Sequence, residues 1–111
     1  MFNPYDWEAI DWDDPDDEDG NYAHCLRHGV TETVVDDVLR EQPVEITISP
    51  TYSTYAVTGP DRGWSTIWTV LFDPSPKRGD WLRPVTGWWS KTAEYRQWEA
   101  VTGRRWRGRH G

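Results

Sequence analysis

Two histidines stand four residues apart near the start of the sequence, and histidine side chains gain or lose a proton near neutral pH. His24 and His28 would lie on one face of a helix, because residues four apart are neighbours on a helix surface. His28 is the first candidate for a general acid or base. The alternative is a structural role, because the helix dipole stabilises a positive charge at a helix C-terminus. A zinc site needs further ligands; the sequence offers no such set, so we expect no metal and no other cofactor.

Arginine suits phosphate binding because its planar fork donates two hydrogen bonds to one anion. Arg83 is the best candidate for a phosphate ligand, and an ordinary exposed strand residue is the equal alternative. Lys91 and Arg96 could help to hold phosphate. Surface roles explain these two residues at least as well.

A pair of adjacent tryptophans, Trp88 and Trp89, follows the segment that contains Arg83. Indole rings can stack on unpaired bases. The alternative is one core residue and one residue of a protein-binding patch. With His24 and Arg96, the two tryptophans make up the candidate RNA- or partner-binding set.

Both histidines fall in a short helix predicted over residues 19–28. Its apolar residues Tyr22, Cys25 and Leu26 recur with helical spacing, and Gly29 follows where a left-handed cap favours glycine. The apolar position of Cys25 indicates an inert, buried thiol.

Two further helices are predicted. Thr31 would cap the first, over residues 32–41, and Gln42-Pro43 would end it. Ser90 would cap the last, which runs to about Val101.

Between these helices the apolar period changes from helical spacing to alternation, which is typical of strands. The third strand has apolar residues on both faces and is therefore expected at the centre of the sheet. Pro84 argues for an edge or a bulge in the fourth strand. We expect an α+β domain with two N-terminal helices, a four-stranded, mostly antiparallel sheet and a C-terminal helix. The strands are predicted at residues 44–48, 52–58, 64–72 and 81–87.

Charge divides the chain into three parts. The first twenty residues contain nine acidic and no basic side chains, whereas nine basic and three acidic residues follow from Lys77 onward. We expect an acidic lead at 1–18 in which 10–13 could form a short strand, a domain at 19–102, and a mobile basic tail at 103–111. The basic region would attract phosphate, or pair with the acidic lead.

The composition excludes several classes of protein. Cys25 is the sole cysteine, so a disulfide-stapled secreted scaffold is excluded. The sequence lacks an apolar run of about 20 residues, so no membrane partner is expected. The first twenty residues lack the basic region of a signal peptide, which favours a cytoplasmic protein.

Two short motifs resemble the BrnT family, toxins of bacterial toxin–antitoxin pairs. The first is Asn21 followed by Arg27-His28-Gly29-Val30, preceded by Ile10-Asp11-Trp12-Asp13. The second is Arg83-Pro84-Val85-Thr86-Gly87 followed by Glu94. The resemblance extends over about residues 10–100 and includes the strands between the motifs.

The resemblance implies a compact fold similar to RelE-type ribonucleases and RNA cleavage without a metal. A cognate antitoxin would be the protein partner. In such a site His28 would transfer protons, and Arg83, Arg27 and Lys91 would hold the phosphate. The sequence carries no feature that sets an oligomeric state.

The sequence departs from the family pattern at the end of the last strand. The family usually places arginine there, whereas this chain has Trp88 and Trp89. Two readings therefore stay open. The first is a toxin-type endoribonuclease, and the second is a catalytically inactive BrnT-like module that binds a protein partner.

Overall fold

A five-stranded sheet with helices on both faces forms the body of the chain in the computed structural model, which describes residues 9–40, 43–48 and 55–111. Helices α1 and α2 cover one face and α3 covers the other. The elements in chain order are β1 Ala9–Ile10, α1 Asn21–Arg27, α2 Glu32–Arg40, β2 Val44–Glu45, β3 Tyr55–Pro60, β4 Ile67–Pro74, β5 Trp81–Trp89 and α3 Thr92–Thr102.

The strand order across the sheet is β1-β5-β4-β3-β2. Strand β1 pairs with β5 in parallel, and the other neighbours are antiparallel. The α+β class is confirmed, but the expected count of four strands was wrong. The additional strand is Ala9–Ile10, beside Trp81 and Leu82. A short strand was considered at 10–13, but the pairing with β5 includes only Ala9 and Ile10.

Strand β4 is the centre of the sheet, as its two apolar faces predicted. Trp68, Val70 and Phe72 contribute to the core under α1 and α2. Ile67 and Leu71 contribute to the core on the α3 side. The strand begins at Ile67, so the expected start at residue 64 was wrong.

Helix α1 is closed by a left-handed cap at Gly29, as the sequence predicted. Gly29 has φ +80°, and its N–H donates to the carbonyl of Leu26 at 3.0 Å. The N–H of Val30 reaches back to the carbonyl of Cys25 at 2.9 Å. These two bonds make a Schellman motif, which fixes His28 at the exposed end of the helix.

The expected caps of the other two helices differ in outcome. The Thr31 hydroxyl accepts the N–H of Val34 at 3.2 Å, so this cap is confirmed. The capping position of α3 is Lys91, one residue after the expected Ser90. Ser90 is buried, and its hydroxyl lies 2.8 Å from that of Thr69, so it bonds to the sheet instead.

Strand β5 contains the irregularity that Pro84 predicted. Leu71 lies opposite Thr86 and Phe72 lies opposite Pro84, so Val85 is an extra residue on β5. A proline cannot donate to the ladder, and a bulge removes the need for that bond.

The C-terminal segment is packed, whereas the sequence predicted a mobile tail. Trp106 is 8% exposed and belongs to the core on the α3 side. Arg109 bridges to Thr66, and its N–H and carbonyl bond to Ser65 and Ile67 at 2.8 and 3.1 Å. A single large aromatic residue can bury enough surface to hold a polar segment in place.

Two expectations extend beyond the described residues. The end of helix 32–41 and the beginning of strand 52–58 include positions outside 9–40, 43–48 and 55–111. The expected strand 44–48 lies inside these ranges and ends at Glu45, so its expected end was wrong. Within these described ranges, every helix is too short or too polar to cross a bilayer.

Candidate functional site

Two carboxylates from the segment between β1 and α1 hold Arg83. Its Nη1 and Nη2 atoms donate to Oδ1 and Oδ2 of Asp13 at 3.0 and 2.6 Å, and Nη1 lies 3.5 Å from Asp11 Oδ2. The hydrogen bond from Arg83 lowers the pKa of Asp13 to about 2, and the same bond raises the pKa of Arg83. A phosphate would have to displace a carboxylate in order to bind this guanidinium.

Asn21 locks the same carboxylate from the start of α1. The Asp13 N–H donates to Asn21 Oδ1, and the Asn21 N–H donates to Asp13 Oδ2, both at 2.8 Å. The Asn21 side-chain amide also donates to the carbonyls of Asp11 and Pro84. The two sequence motifs therefore meet at Asp13, which joins α1 to β5.

Asp11 extends this cluster into the loop before β5. It is 3% exposed, accepts a 2.7 Å hydrogen bond from the Ser75 hydroxyl and lies 3.8 Å from Lys77 Nζ. We call Asp11, Asp13, Asn21, Ser75 and Arg83 the Asp13 cluster. Its polar groups bond to one another, and Arg83 and the adjacent Lys77 balance the two carboxylates, which is typical of a structural network.

His24 and His28 lie side by side on α1, with ring centroids 4.8 Å apart. Burial lowers the pKa of His24, and the charges of His28 and Arg27 lower it further. Arg27 is exposed, and its Nη1 donates to the carbonyl of Glu18 at 3.2 Å. In the described part of the chain, no hydrogen bond or ion pair links His28 or Arg27 to Arg83.

Metal and thiol chemistry have little support near these histidines. Among the described residues, no group of three or more His, Cys, Asp or Glu side chains could hold a metal ion. Burial raises the pKa of the Cys25 thiol to about 11, so the thiol is protonated at neutral pH and is a poor nucleophile.

Trp88 and Trp89 point to opposite faces of β5, because successive strand residues alternate. Trp88 packs on the α3 side, and its Nε1 donates to Glu94 at 2.8 Å. Trp89 is 42% exposed, with the guanidinium of Arg109 lying 5.3 Å from its ring centroid. The two rings therefore lie on opposite faces of the sheet and do not form one continuous surface.

Lys91 and Arg96 are placed by α3. Lys91 Nζ lies 5.9 Å from the Trp88 ring, and the Lys91 N–H donates to buried Glu94 at 2.9 Å. Glu94 also accepts a hydrogen bond from the Thr69 hydroxyl at 3.0 Å. Arg96 is exposed. These contacts place Lys91 at the start of α3, and no hydrogen bond or ion pair among the described residues links it to Arg83 or His28.

A tight turn before β4 presents Trp64, which the sequence had placed inside a strand. The Asp61 carboxylate accepts the N–H and the hydroxyl of Ser65, both at 2.9 Å, and the Asp61 carbonyl accepts the N–H of Trp64 at 3.0 Å. Trp64 has φ +56°, a strained conformation for a bulky residue. A strained backbone persists only where the surrounding packing holds it, and such residues are often found at functional sites.

Trp64 stands among aromatic and basic side chains of the C-terminal segment. Its ring stacks on Trp106 at 6.0 Å, and the Arg104 guanidinium lies 4.9 Å from its centroid. The indole is 41% exposed. Arg105 and Arg107 line the same open depression. We call Trp64, Arg104, Arg105 and Arg107 the Trp64 surface.

A cleft adjoins the Trp64 surface between α2 and the end of β3. The Asp37 side chain forms part of its wall and is only 5% exposed. We call it the Asp37 cleft. Six of its lining residues are Asp37, Arg40, Arg62, Trp64, Trp98 and Arg104.

Neither surface was predicted from the sequence. The signal available was Trp106, a single tryptophan among four arginines and three glycines in residues 103–111. Comparison of the chain with protein-family models, curated proteins and solved structures gives no match.

Proposed function

We propose that this protein is a non-catalytic module that binds single-stranded RNA through the Trp64 surface. The observation that carries the proposal is the position of three arginines around an exposed indole, held there by buried Trp106. Arginines that follow a backbone beside an aromatic platform are the usual means of binding single strands. The resemblance of the Asn21 and Arg83 motifs to BrnT supports RNA as the ligand class.

The Asp13 cluster supports binding rather than catalysis. Both terminal nitrogens of Arg83 donate to Asp13, so the best predicted phosphate ligand is already neutralised. The arginines of the Trp64 surface, by contrast, are exposed. Polyanion binding is therefore favoured at the C-terminal segment.

The test is the salt dependence of RNA binding. A fluorescein-labelled oligouridine is titrated with wild type and with a variant that carries Arg104→Ala, Arg105→Ala and Arg107→Ala. Each lost phosphate contact should reduce the slope of log K against log salt by about 0.7, so the variant should lose about 2 from the slope. The control variant carries Arg27→Ala, Arg78→Ala and Arg96→Ala, which lie outside the Trp64 surface. Equal slopes for all three proteins would contradict the proposal.

A second candidate is a metal-independent endoribonuclease toxin that a cognate antitoxin blocks. The observation that favours it is the His24–His28 pair, in which the lowered pKa of His24 favours a neutral base beside an exposed imidazole. Its test is RNA cleavage in the presence of a chelator, together with growth arrest on expression. His28→Ala should lower the cleavage rate by about 10²–10⁴-fold, and His110→Ala is the control. Intact RNA with the wild-type chain would exclude this candidate.

A further inference from the structure

The Asp37 cleft contains a buried carboxylate with an unused acceptor atom. Asp37 Oδ2 accepts the N–H of Arg62 at 3.0 Å. Arg62 Nε lies 3.4 Å from Oδ1, but Oδ1 makes no hydrogen bond. Buried acceptors are nearly always satisfied, so an unsatisfied one in a cleft wall can take a donor from a bound water or from a ligand.

The rest of the cleft suits a flat, anionic ligand. Trp64 and Trp98 supply aromatic walls, and Arg40, Arg62 and Arg104 supply positive charge. The cleft contains about 570 Å³ of empty space, part of it open to solvent. Arg104 lies over Trp64 and can offer the other face of its guanidinium to a base, as arginine planes do in RNA recognition.

We propose that the Asp37 cleft binds the guanine base of a nucleotide, which rests on the proposed RNA binding by the adjoining Trp64 surface. Guanine presents two adjacent donors, N1–H and the N2 amino group, on its Watson–Crick edge. A carboxylate accepts both. Arg104 belongs to the cleft and to the Trp64 surface, so it can hold the phosphate of a nucleotide whose base reaches Asp37.

The other bases fit this carboxylate less well. Adenine and cytosine each pair one amino donor with an adjacent acceptor nitrogen, which a carboxylate repels. Uracil places its single N3–H between two carbonyl oxygens. A bidentate base contact contributes enough discrimination that guanine should be preferred roughly tenfold over adenine.

The test compares short oligouridines that differ at one central base. Wild type should bind the guanosine oligonucleotide roughly tenfold more tightly than the adenosine one, with inosine between them because inosine lacks the N2 amino group. Asp37→Asn should bind the guanosine and adenosine oligonucleotides equally, with unchanged affinity for adenosine. Asp36→Asn, the same change at the exposed neighbour, should retain the preference. Equal binding of guanosine and adenosine by wild type would overturn the guanine pocket and leave RNA binding intact.

Binding of GMP tests whether the cleft takes guanine from a free nucleotide or from RNA. Tryptophan fluorescence should report GMP binding that is weaker than oligonucleotide binding and is lost in Asp37→Asn. Binding of GMP without binding of any oligonucleotide would support the cleft and contradict RNA as the ligand. Absence of both would overturn both proposals. The comparison of guanosine and inosine oligonucleotides uses the wild-type protein alone, so it does not depend on the folding of any variant.

Discussion

The guanidinium of Arg83 and the carboxylate of Asp13 form a bidentate ion pair across the junction of α1 and β5, with bonds of 3.0 and 2.6 Å. The pair lies at the meeting point of the two motifs that had predicted a catalytic site. Arg83 is 26% exposed and Asp13 is 21% exposed, so water reaches the pair only in part. Its main effect is to hold the segment before α1 against the sheet.

Asp13→Asn should make the stability of the folded chain depend less on pH in the acidic range. The pKa of Asp13 is about 2 in the folded chain against an ordinary 3.8. Its contribution to stability is therefore complete above about pH 4 and is lost as the pH falls through about 2. Thermal melts across this range should show a steeper fall in wild type than in Asp13→Asn. Asp16→Asn, at an exposed site, should melt like wild type; a parallel fall in Asp13→Asn would show that the pair contributes nothing.

Trp106→Ala should destabilise the whole domain. Trp106 packs against Trp64 and Trp98, and the loss of a buried tryptophan typically costs about 3–5 kcal/mol. Chemical denaturation measures the free energy of unfolding. The control is Val101→Ala, whose side chain is 69% exposed and should change that free energy by less than about 0.5 kcal/mol. Similar small changes in both variants would mean that the C-terminal segment is not docked in solution.

Replacement of residues 14–19 by a Gly/Ser linker of equal length should leave the melting temperature nearly unchanged. The bonds of this loop are local: the N–H of Asp16 donates to the Asp14 side chain and that of Asp19 to the Asp17 side chain. Arg27 binds only a backbone carbonyl there, at Glu18. A calorimetric scan of both proteins measures the melting temperature. A fall of more than about 4 °C, roughly 1 kcal/mol for a domain of this size, would contradict the independence of the loop.

Gly87→Ala should lower the free energy of unfolding by about 1–3 kcal/mol, because it overpacks the core. A methyl group at Gly87 would lie 2.8 Å from the carbonyl oxygen of Thr69 and 2.9 Å from Val30 Cγ2. Gly79→Ala is the matched control, since its added carbon meets nothing within 4 Å. Denaturant titration of both variants gives the comparison. Equal midpoints would show that β4 and β5 are not packed this closely.

The parts of the fold that local chemistry determines were predictable from the sequence. Gly29 ends α1, Thr31 caps α2 and Pro84 accompanies a bulge, and each effect acts within a few residues. The two-faced pattern of β4 also predicted its central place. Periodicity and capping are sufficient for such features.

The features that were missed depend on contacts far apart in the sequence. Arg83 was expected to hold phosphate or to be an ordinary exposed strand residue, but its partners are Asp11 and Asp13, and no local pattern pairs them. The segment with Trp106 was expected to be mobile, because it is polar and lacks periodicity. Trp64 was assigned to a strand because the pattern of apolar residues does not reveal the Asp61 hydrogen bonds that form its turn.

Strand β5 separates two charged regions of the molecule. The acidic segment joins the sheet beside Trp81, whereas Arg109 packs beside Trp89 at the other end, about 27 Å away at the usual rise per residue. The carboxylates of the acidic segment and the guanidinium of Arg109 are therefore separated along this strand. Under the proposed RNA binding, this separation would turn the C-terminal arginines toward an approaching strand before contact. Copies bound along one strand would expose a row of carboxylates, and their mutual repulsion would keep neighbours apart and second strands away.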